Sequence, residues 1–254
     1  MKQRAFPLSI LFLVFMASLL MAAEWWEKKP AAEWTEKDAR RMLDQSPWAK
    51  VHTVSIVNPT TTGKSSFENI GTGDLEREKR VRFHLRFLTA KPIRLALARQ
   101  MLLAKNKPVQ PVDLDGFVNR GNDREIILLM TLSGVPEGSS ALRGYWSTLL
   151  SLSTPLLTAE TYLATGSGKR VYITRYLPPG KDGLGARFCF PRTLEDGTPL
   201  ITAGDRVVHF ETYIDLVETG TSSATPGQNE NVRRERVWMK FDLDKMIFDG
   251  KLEI

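Results

Sequence analysis

One segment of the sequence carries a regular stripe of positive charge. Positions 79 to 87 hold the residues KRVRFHLRF, in which charged and apolar side chains alternate. Side chains of a β-strand point to opposite faces at each step, so Arg80, Arg82, His84 and Arg86 would share one face. Alternate residues of a strand lie about 6.5–7 Å apart, and arginine pairs bidentately with carboxylates and phosphates. We therefore predict that these four residues bind successive charges of an extended polyanion.

The alternative explanation of this stripe is structural. Charged side chains are also common on the solvated outer face of a sheet, where they discourage pairing with strands of other chains. A helix or loop that covered these side chains, with an acid paired to each, would likewise make them part of the fold. The anion-binding hypothesis requires instead that the guanidinium groups remain accessible to solvent.

The sequence offers little that could support catalysis or metal binding. The three histidines, His52, His84 and His209, all fall in strand-like patterns, and no two have the spacing of metal ligands. A nucleophile elbow of the G-x-S-x-G type is absent. Cys189 is the single cysteine, which excludes an intramolecular disulfide but leaves open a dyad with a histidine of another strand. We predict no catalytic residue, no metal and no cofactor.

Two further segments have the composition of ligand sites but are better explained as turns. The residues GSGKR at 166–170 approach a phosphate-binding loop, which would require glycine in place of Leu163 and Ser or Thr in place of Arg170. A hairpin turn explains them better, and no nucleotide is expected. Acidic and amide residues at 113–123 could bind calcium, but their spacing is not that of an EF-hand, and such residues also form turns.

The charged stripe must be positioned by a strand whose opposite face is buried. Val81, Phe83, Leu85 and Phe87 alternate with the charged residues and would form that buried face. Pro92 follows closely and suits the first turn of a helix, because proline has no N–H group to leave unpaired there. We expect the rest of the chain to pack around this strand and helix.

The remaining elements follow from caps, periodicity and turn residues. A capping box at Thr35 and Asp38 predicts a helix that ends before Pro47. The apolar run at 125–133 is typical of a central strand, and a further helix is predicted from about residue 140. Other strands are predicted at 51–57, 158–165, 170–177, 187–191, 206–218 and 236–243.

These elements together predict an α+β fold. We expect a single domain over residues 34–254, with an antiparallel or mixed sheet and two or three helices packed on it. The C-terminal half would be rich in β-structure. The sequence shows no internal repeat, and its amino-acid composition does not change along the chain in a way that would mark a second domain. Its length is sufficient for one substantial core.

The N-terminus has the pattern of an export signal. Lys2 and Arg4 precede an uncharged apolar run at 8–21, and the small residues Ala22 and Ala23 suit a signal-peptidase site. We therefore predict that residues 1–23 are a signal peptide.

An uncleaved helix that anchors the protein in a membrane is the alternative for this segment, although the apolar run is shorter than the roughly 20 residues that span a bilayer. The following residues, 24–33, hold Trp25 and Trp26 among charged side chains. We predict that they form a flexible leader of the mature chain.

The charge of the chain indicates its class of partner. The net charge is +6, and the part after residue 23 remains basic. An exported basic protein is expected to meet anionic envelope polymers, lipid head groups or another envelope protein rather than nucleic acid. The sequence thus favours an exported, periplasmic or secreted, non-enzymatic protein that binds or assembles in the cell envelope. The alternatives are an exported hydrolase without a recognisable motif and an anchored envelope protein with an uncleaved N-terminal helix.

Overall fold

The computed structural model describes residues 24–56, 79–104, 114–135, 140–202, 204–217 and 232–254. Within these ranges the chain has the predicted α+β fold, with antiparallel sheets and a β-rich C-terminal half. The predicted signal peptide at 1–23 lies outside the described residues, so its cleavage stays a prediction.

The α-helices of the described ranges are α1 (Trp25–Lys28), α2 (Glu36–Gln45), α3 (Lys91–Leu103), α4 (Leu114–Asn119), α5 (Ser140–Ser151) and α6 (Thr154–Leu157). Short 3-10 turns lie at Ala31–Glu33 and Leu243–Lys245. The three longest helices, α2, α3 and α5, are those predicted from the sequence. The short helix α4 falls in the acidic segment 113–123, which was predicted to form turns.

Helix α2 begins at the predicted capping box. The Thr35 hydroxyl accepts a hydrogen bond from the backbone N–H of Asp38 (3.2 Å), and the Asp38 carboxylate accepts one from the Thr35 N–H (2.9 Å). The Asp38 carboxylate also accepts a hydrogen bond from Lys29 (2.6 Å). The hydrogen bond from Lys29, followed by those from Thr35, lowers the pKa of Asp38 to about 2. The carboxylate that caps α2 is therefore ionised at neutral pH.

The strands are β1 (Ala49–Ile56), β2 (Lys79–Phe87), β3 (Glu125–Val135), β4 (Tyr162–Thr165), β5 (Arg170–Tyr172), β6 (Arg175–Leu177), β7 (Ala186–Pro191), β8 (Val207–Val217), β9 (Val232–Asp242), β10 (Ile247–Phe248) and β11 (Lys251–Leu252). A first sheet has the order β1-β2-β3-β7-β6, and a second has the order β5-β4-β8-β9. Strands β10 and β11 form a separate hairpin. All of these pairings are antiparallel.

The core joins the inner faces of the two sheets. Phe87 of the first sheet meets Phe241 of the second with ring centroids 4.8 Å apart, and Phe188 meets Phe210 at 5.4 Å. The side chains predicted to face inward from β2, Val81, Phe83, Leu85 and Phe87, are fully buried, which confirms that prediction. A single hydrophobic cluster contains buried residues from both sheets and from the helices.

The segment 24–33, predicted to be a flexible leader, is ordered in the structure. It forms α1 and a 3-10 turn, and Trp26 is buried in the core cluster. The Trp26 ring lies 5.5 Å from that of Trp48, and the Trp25 ring lies 5.5 Å from that of Trp34. Burial of large aromatic side chains offsets the entropy lost on ordering a short segment, which explains the difference.

Candidate functional site

The predicted charged stripe lies on the outer face of the first sheet, but its four residues differ in exposure. Arg80 and Arg82 are exposed, His84 is half-buried and Arg86 is buried. The end of α2 covers the part of β2 that carries His84 and Arg86. The stripe is therefore accessible to a ligand only at Arg80 and Arg82.

Arg86 is held entirely by groups of the protein. Its Nε donates to the carbonyl of Leu43 (2.6 Å), Nη1 to the hydroxyl of Thr131 (2.7 Å) and Nη2 to the carboxylate of Asp44 (2.8 Å). Burial lowers the pKa of Arg86, while the hydrogen bond from its guanidinium to Asp44 raises it. This arginine joins β2 to β3 and to the end of α2, so its role is structural.

His84 completes the same cluster. Its ring nitrogens lie 3.1 Å from the Asp44 carboxylate and 2.8 Å from the Ser133 hydroxyl. Burial alone would raise the pKa of Asp44, but hydrogen bonds from His84 and Arg86 bring it below its usual value. Asp44 is the paired acid that the structural explanation of the stripe required. The hypothesis of anion binding by β2 stays a prediction, and it now rests on Arg80 and Arg82.

A different surface combines aromatic and positively charged side chains. Because Leu163, Phe210 and Met239 face the core, the alternate residues of β4, β5, β8 and β9 form the outer face of the second sheet. We call this surface the aromatic–arginine face, and it consists of Tyr162, Tyr172, Tyr213, Trp238, Arg170, Arg234 and Arg236, arranged around Glu211.

Strand register places the central residues of this face in one row. Tyr172, Tyr162, Glu211 and Trp238 are directly opposite one another on successive strands of the second sheet. Neighbouring strands lie about 4.8 Å apart, so the row crosses about 14 Å of sheet. Tyr172 and Trp238, at its two ends, are 44% and 43% exposed. The row thus presents an accessible aromatic ring at each end.

Glu211 fixes the centre of the face. Its carboxylate accepts hydrogen bonds from the Tyr162 hydroxyl (2.5 Å), the Tyr213 hydroxyl (3.1 Å) and both Nε and Nη2 of Arg236 (2.9 Å each). The hydrogen bond from Arg236 is the largest cause that lowers the pKa of Glu211 to about 2. Glu211 is therefore ionised at neutral pH, and its bonds hold two tyrosines and one arginine in fixed positions.

Stacking orders the other charged groups of the face. The Arg170 guanidinium lies 4.2 Å from the centroid of the Tyr162 ring, and that of Arg234 lies 4.8 Å from the Tyr213 ring. Arg234 also pairs with Glu160. A cation above an aromatic ring is attracted by the electrons of the ring face and keeps its charge. These arginines are thus ordered before any ligand binds.

Charged side chains of both signs lie on this face. Besides its three arginines, Lys240 lies on the same side of β9, and the acids on that side are Glu211 and Asp215 of β8 and Asp242 of β9. The side chains of Arg234 and Arg236 are about half exposed even though both form ion pairs. Exposed rings next to exposed guanidiniums are suited to a ligand that has flat apolar surfaces and repeated negative charges.

The structure also places the residues considered for catalysis. Cys189 is buried on β7, and burial raises the pKa of its thiol. His52 is bound to Glu235 (2.9 Å), and His209 stacks on Trp238 with ring centroids 5.9 Å apart. None of the described histidines forms a hydrogen bond with Cys189. Within the described ranges, no group of three or more His, Cys, Asp or Glu side chains is placed to hold a metal ion.

The hairpin-turn prediction is confirmed, whereas the turn prediction for the acidic segment holds only for its end, because residues 114–119 of that segment form α4. The chain at 166–169 connects β4 to β5 as a hairpin, in which the Gly168 N–H donates to the Thr165 carbonyl (3.1 Å) and Gly168 has a φ of +90°. In the acidic segment, the Asn122 carboxamide oxygen accepts hydrogen bonds from the N–H groups of Arg124 (3.1 Å) and Glu125 (2.8 Å), which is a turn. Asp113, the first acid of that segment, lies outside the described residues.

Comparison with known proteins adds no family or function to this picture. Protein-family models, curated proteins and solved structures contain no match to this chain. Across the described residues, no helix is both long enough and apolar enough to cross a membrane. The chemistry of the aromatic–arginine face is therefore the basis on which a function can be inferred.

Proposed function

We propose that this protein is an exported, non-enzymatic binding protein of the cell envelope that holds an extended anionic polymer on its aromatic–arginine face. The observation that carries this proposal is the row from Tyr172 to Trp238, with exposed rings at its ends and arginines beside it. Rings can stack on the apolar faces of sugar units, while guanidiniums pair with carboxylates or phosphates.

The side chains of the aromatic–arginine face are held in fixed positions, which supports its role as a binding site. Binding costs less when side chains are already held in their bound positions, because less conformational entropy is then lost. Glu211 holds Tyr162, Tyr213 and Arg236 by hydrogen bonds, and Arg170 is stacked on Tyr162. Arg80 and Arg82 of the first sheet are exposed, but no exposed aromatic side chain is opposite them on β1 or β3. The second sheet is therefore the better candidate.

The same chemistry would also suit a single strand of nucleic acid, because bases stack on aromatic rings and phosphates pair with arginine. We choose between an envelope polymer and nucleic acid on the basis of the predicted export signal. A protein delivered outside the cytoplasm meets polymers of the cell envelope rather than nucleic acid. We therefore assign the face to an anionic polymer of the envelope.

A binding experiment tests the proposal. The chain 24–254 should bind a polyuronate or a poly(glycerol phosphate), and the affinity should fall as salt rises, since exposed charges are screened within about 8 Å at physiological ionic strength. Trp238→Ala combined with Arg234→Gln should weaken binding by about 30-fold or more, because truncation of an aromatic anchor commonly costs about 2 kcal/mol. The melting temperature should stay close to that of the wild type, because both side chains are exposed.

A matched double variant provides the control. Leu156→Ala combined with Arg82→Gln makes the same kinds of change at exposed positions away from the face, and it should bind as the wild type does. The opposite pattern, in which this control loses binding and the Trp238/Arg234 variant keeps it, would move the site to the first sheet and refute the proposal. Tighter binding of single-stranded RNA or DNA, or binding only to anionic vesicles, would refute the assigned partner.

Export is a separate prediction. Protein isolated from its natural host should begin at Ala23 or Glu24, because Ala22 and Ala23 follow the apolar run at a suitable cleavage position. N-terminal sequencing or intact mass measurement gives the result directly. Recovery of membrane-extracted protein that still begins at Met1 would favour the anchored alternative.

A further inference from the structure

A second candidate site lies at the start of α3, apart from the aromatic–arginine face. A cavity of about 480 Å³ opens there, and its charged lining residues are Lys91, Arg94, Asp123, Arg192 and Glu253. These residues come from α3, from the segment between α4 and β3, from the end of β7 and from the end of the chain that follows β11. None of them belongs to the aromatic–arginine face.

Arg94 is a buried guanidinium without a carboxylate partner. The residue is only 7% exposed. Its Nε donates to the carbonyl of Val118 (2.9 Å), and Nη1 donates to those of Leu88 (3.3 Å) and Thr89. Its third nitrogen, Nη2, has no hydrogen-bond partner among the described residues. This nitrogen is not among the described buried atoms that lack a partner, so it is accessible to an acceptor from solution.

Arg192 shows the same pattern on another wall of the cavity. Its Nε donates to the carbonyl of Asn122 (2.7 Å) and Nη2 to that of Ile254 (2.6 Å). In the part of the chain that the structure describes, Nη1 has no hydrogen-bond partner, and neither Arg192 nor Arg94 forms an ion pair with an Asp or Glu side chain. Two guanidiniums thus line one cavity, each anchored by backbone oxygens and each with one nitrogen that no described residue accepts from.

The two positive charges influence each other. Burial is the main cause that lowers the pKa of Arg94; Glu253 raises that pKa, and the charge of Arg192 lowers it further. Burial also lowers the pKa of Arg192, against the influence of Asp123 and Glu253. An anion placed between the two guanidiniums would relieve both the desolvation and the mutual repulsion.

A carboxylate of the chain itself already occupies part of this site. The Lys91 N–H, at the first position of α3, donates to Oε2 of Glu253 (2.9 Å). A helix N-terminus attracts negative charge through its unpaired N–H groups and the helix dipole. Glu253 satisfies this N–H group, so the arginines remain the donors available to an external anion, and the charge of Glu253 opposes its entry.

We infer that this cavity binds a small oxyanion, a carboxylate or phosphate group, between Nη2 of Arg94 and Nη1 of Arg192. The planar guanidinium group matches the geometry of either oxyanion. Lys91, Arg94 and Arg192 bring positive charge to the cavity, and Asp123, Glu253 and the α-carboxylate at Ile254 of the chain 24–254 bring negative charge. The ammonium of Lys91 also pairs with Asp249 (3.6 Å), so the two guanidiniums are the donors on which the site depends. Asp123 is exposed to solvent, which screens its charge.

Calorimetric titration of the chain 24–254 with inorganic phosphate and with succinate, at constant ionic strength and with chloride as reference, tests this inference. We expect saturable binding of one of these anions. Arg192→Gln should weaken it by about tenfold or more, because a hydrogen bond to a charged group contributes about 1.5–3 kcal/mol. Arg124→Gln is the matched control, because its exposed side chain is outside the cavity lining.

Glu253→Gln should change the anion affinity in the direction opposite to Arg192→Gln. Removal of its negative charge should tighten anion binding, whereas a purely structural role of these residues predicts no gain. Arg192→Lys keeps the positive charge and serves as a second test if Arg192→Gln folds poorly. It too should bind the anion more weakly than the wild type. Binding of the polymer should be unchanged in all three variants. Failure of both the wild type and Glu253→Gln to bind either anion, or equal affinity of the wild type and both Arg192 variants, would overturn the inference.

Discussion

Replacement of Phe83 by alanine should reduce the free energy of unfolding by about 3–5 kcal/mol, the usual cost of truncating a buried aromatic side chain. Phe83 is fully buried in β2, and its ring contacts Tyr145 of α5 and His52 of β1, with ring centroids 5.9 and 6.2 Å away. The truncation removes these contacts and leaves a cavity where two strands and a helix meet.

Urea denaturation of the chain 24–254 measures this loss. Tyr172→Ala serves as the control, because it truncates an aromatic strand residue that is 44% exposed, and its cost should be below about 1 kcal/mol. Equal losses in the two variants would mean that the inner face of β2 does not form the core.

Replacement of Arg86 by alanine should reduce the free energy of unfolding by about 3 kcal/mol, because loss of one partner leaves the other partner of a buried ion pair uncompensated. The guanidinium of Arg86 bonds to Leu43, Asp44 and Thr131, and all three would lose a donor. The expected value is at the lower end of the range for buried pairs, because Asp44 keeps its contact with His84 and is partly exposed.

Arg82→Ala is the matched control for this measurement. It removes the same side chain from the same face of the same strand, four positions away, where the residue is exposed. Its effect should be within about 0.5 kcal/mol. If both variants unfolded at the same urea concentration, Arg86 would not hold α2 on the sheet, and its assignment to the fold would be incorrect.

The sequence predicted those features that depend on local rules. Alternation along β2 identified its buried face, from Val81 to Phe87, because side chains on a strand change sides at every residue. The capping box at Thr35 and Asp38 located the start of α2, because its hydrogen bonds span only three residues. The hairpin at 166–169 followed from its glycines.

The features that were missed depend on contacts between distant segments. Nothing local to Arg86 indicates that Asp44, 42 residues earlier, lies beside it. Trp26 is buried because Trp48 lies across from it, which the charged residues around Trp26 do not suggest. The pairing of both residues requires knowledge of how α1 and α2 pack.

The aromatic–arginine face was missed for a related reason. The alternation within β8 and β9 could have shown that Tyr213, Arg236 and Trp238 point outward, since both segments were predicted to be strands. The sequence did not reveal that β4 of the β4–β5 hairpin pairs with β8, and so it could not place Tyr172 and Tyr162 in one row with Glu211 and Trp238.

The central claim, that an anionic polymer lies on the aromatic–arginine face, is tested most directly by mapping its contacts. Backbone amide chemical shifts of the isotope-labelled chain 24–254 would be recorded during titration with the polymer that binds most tightly. We predict that the largest changes occur in β4, β5, β8 and β9, centred on Tyr162, Glu211 and Trp238. Changes centred on Arg80 and Arg82 of β2, with β8 and β9 unaffected, would contradict the account.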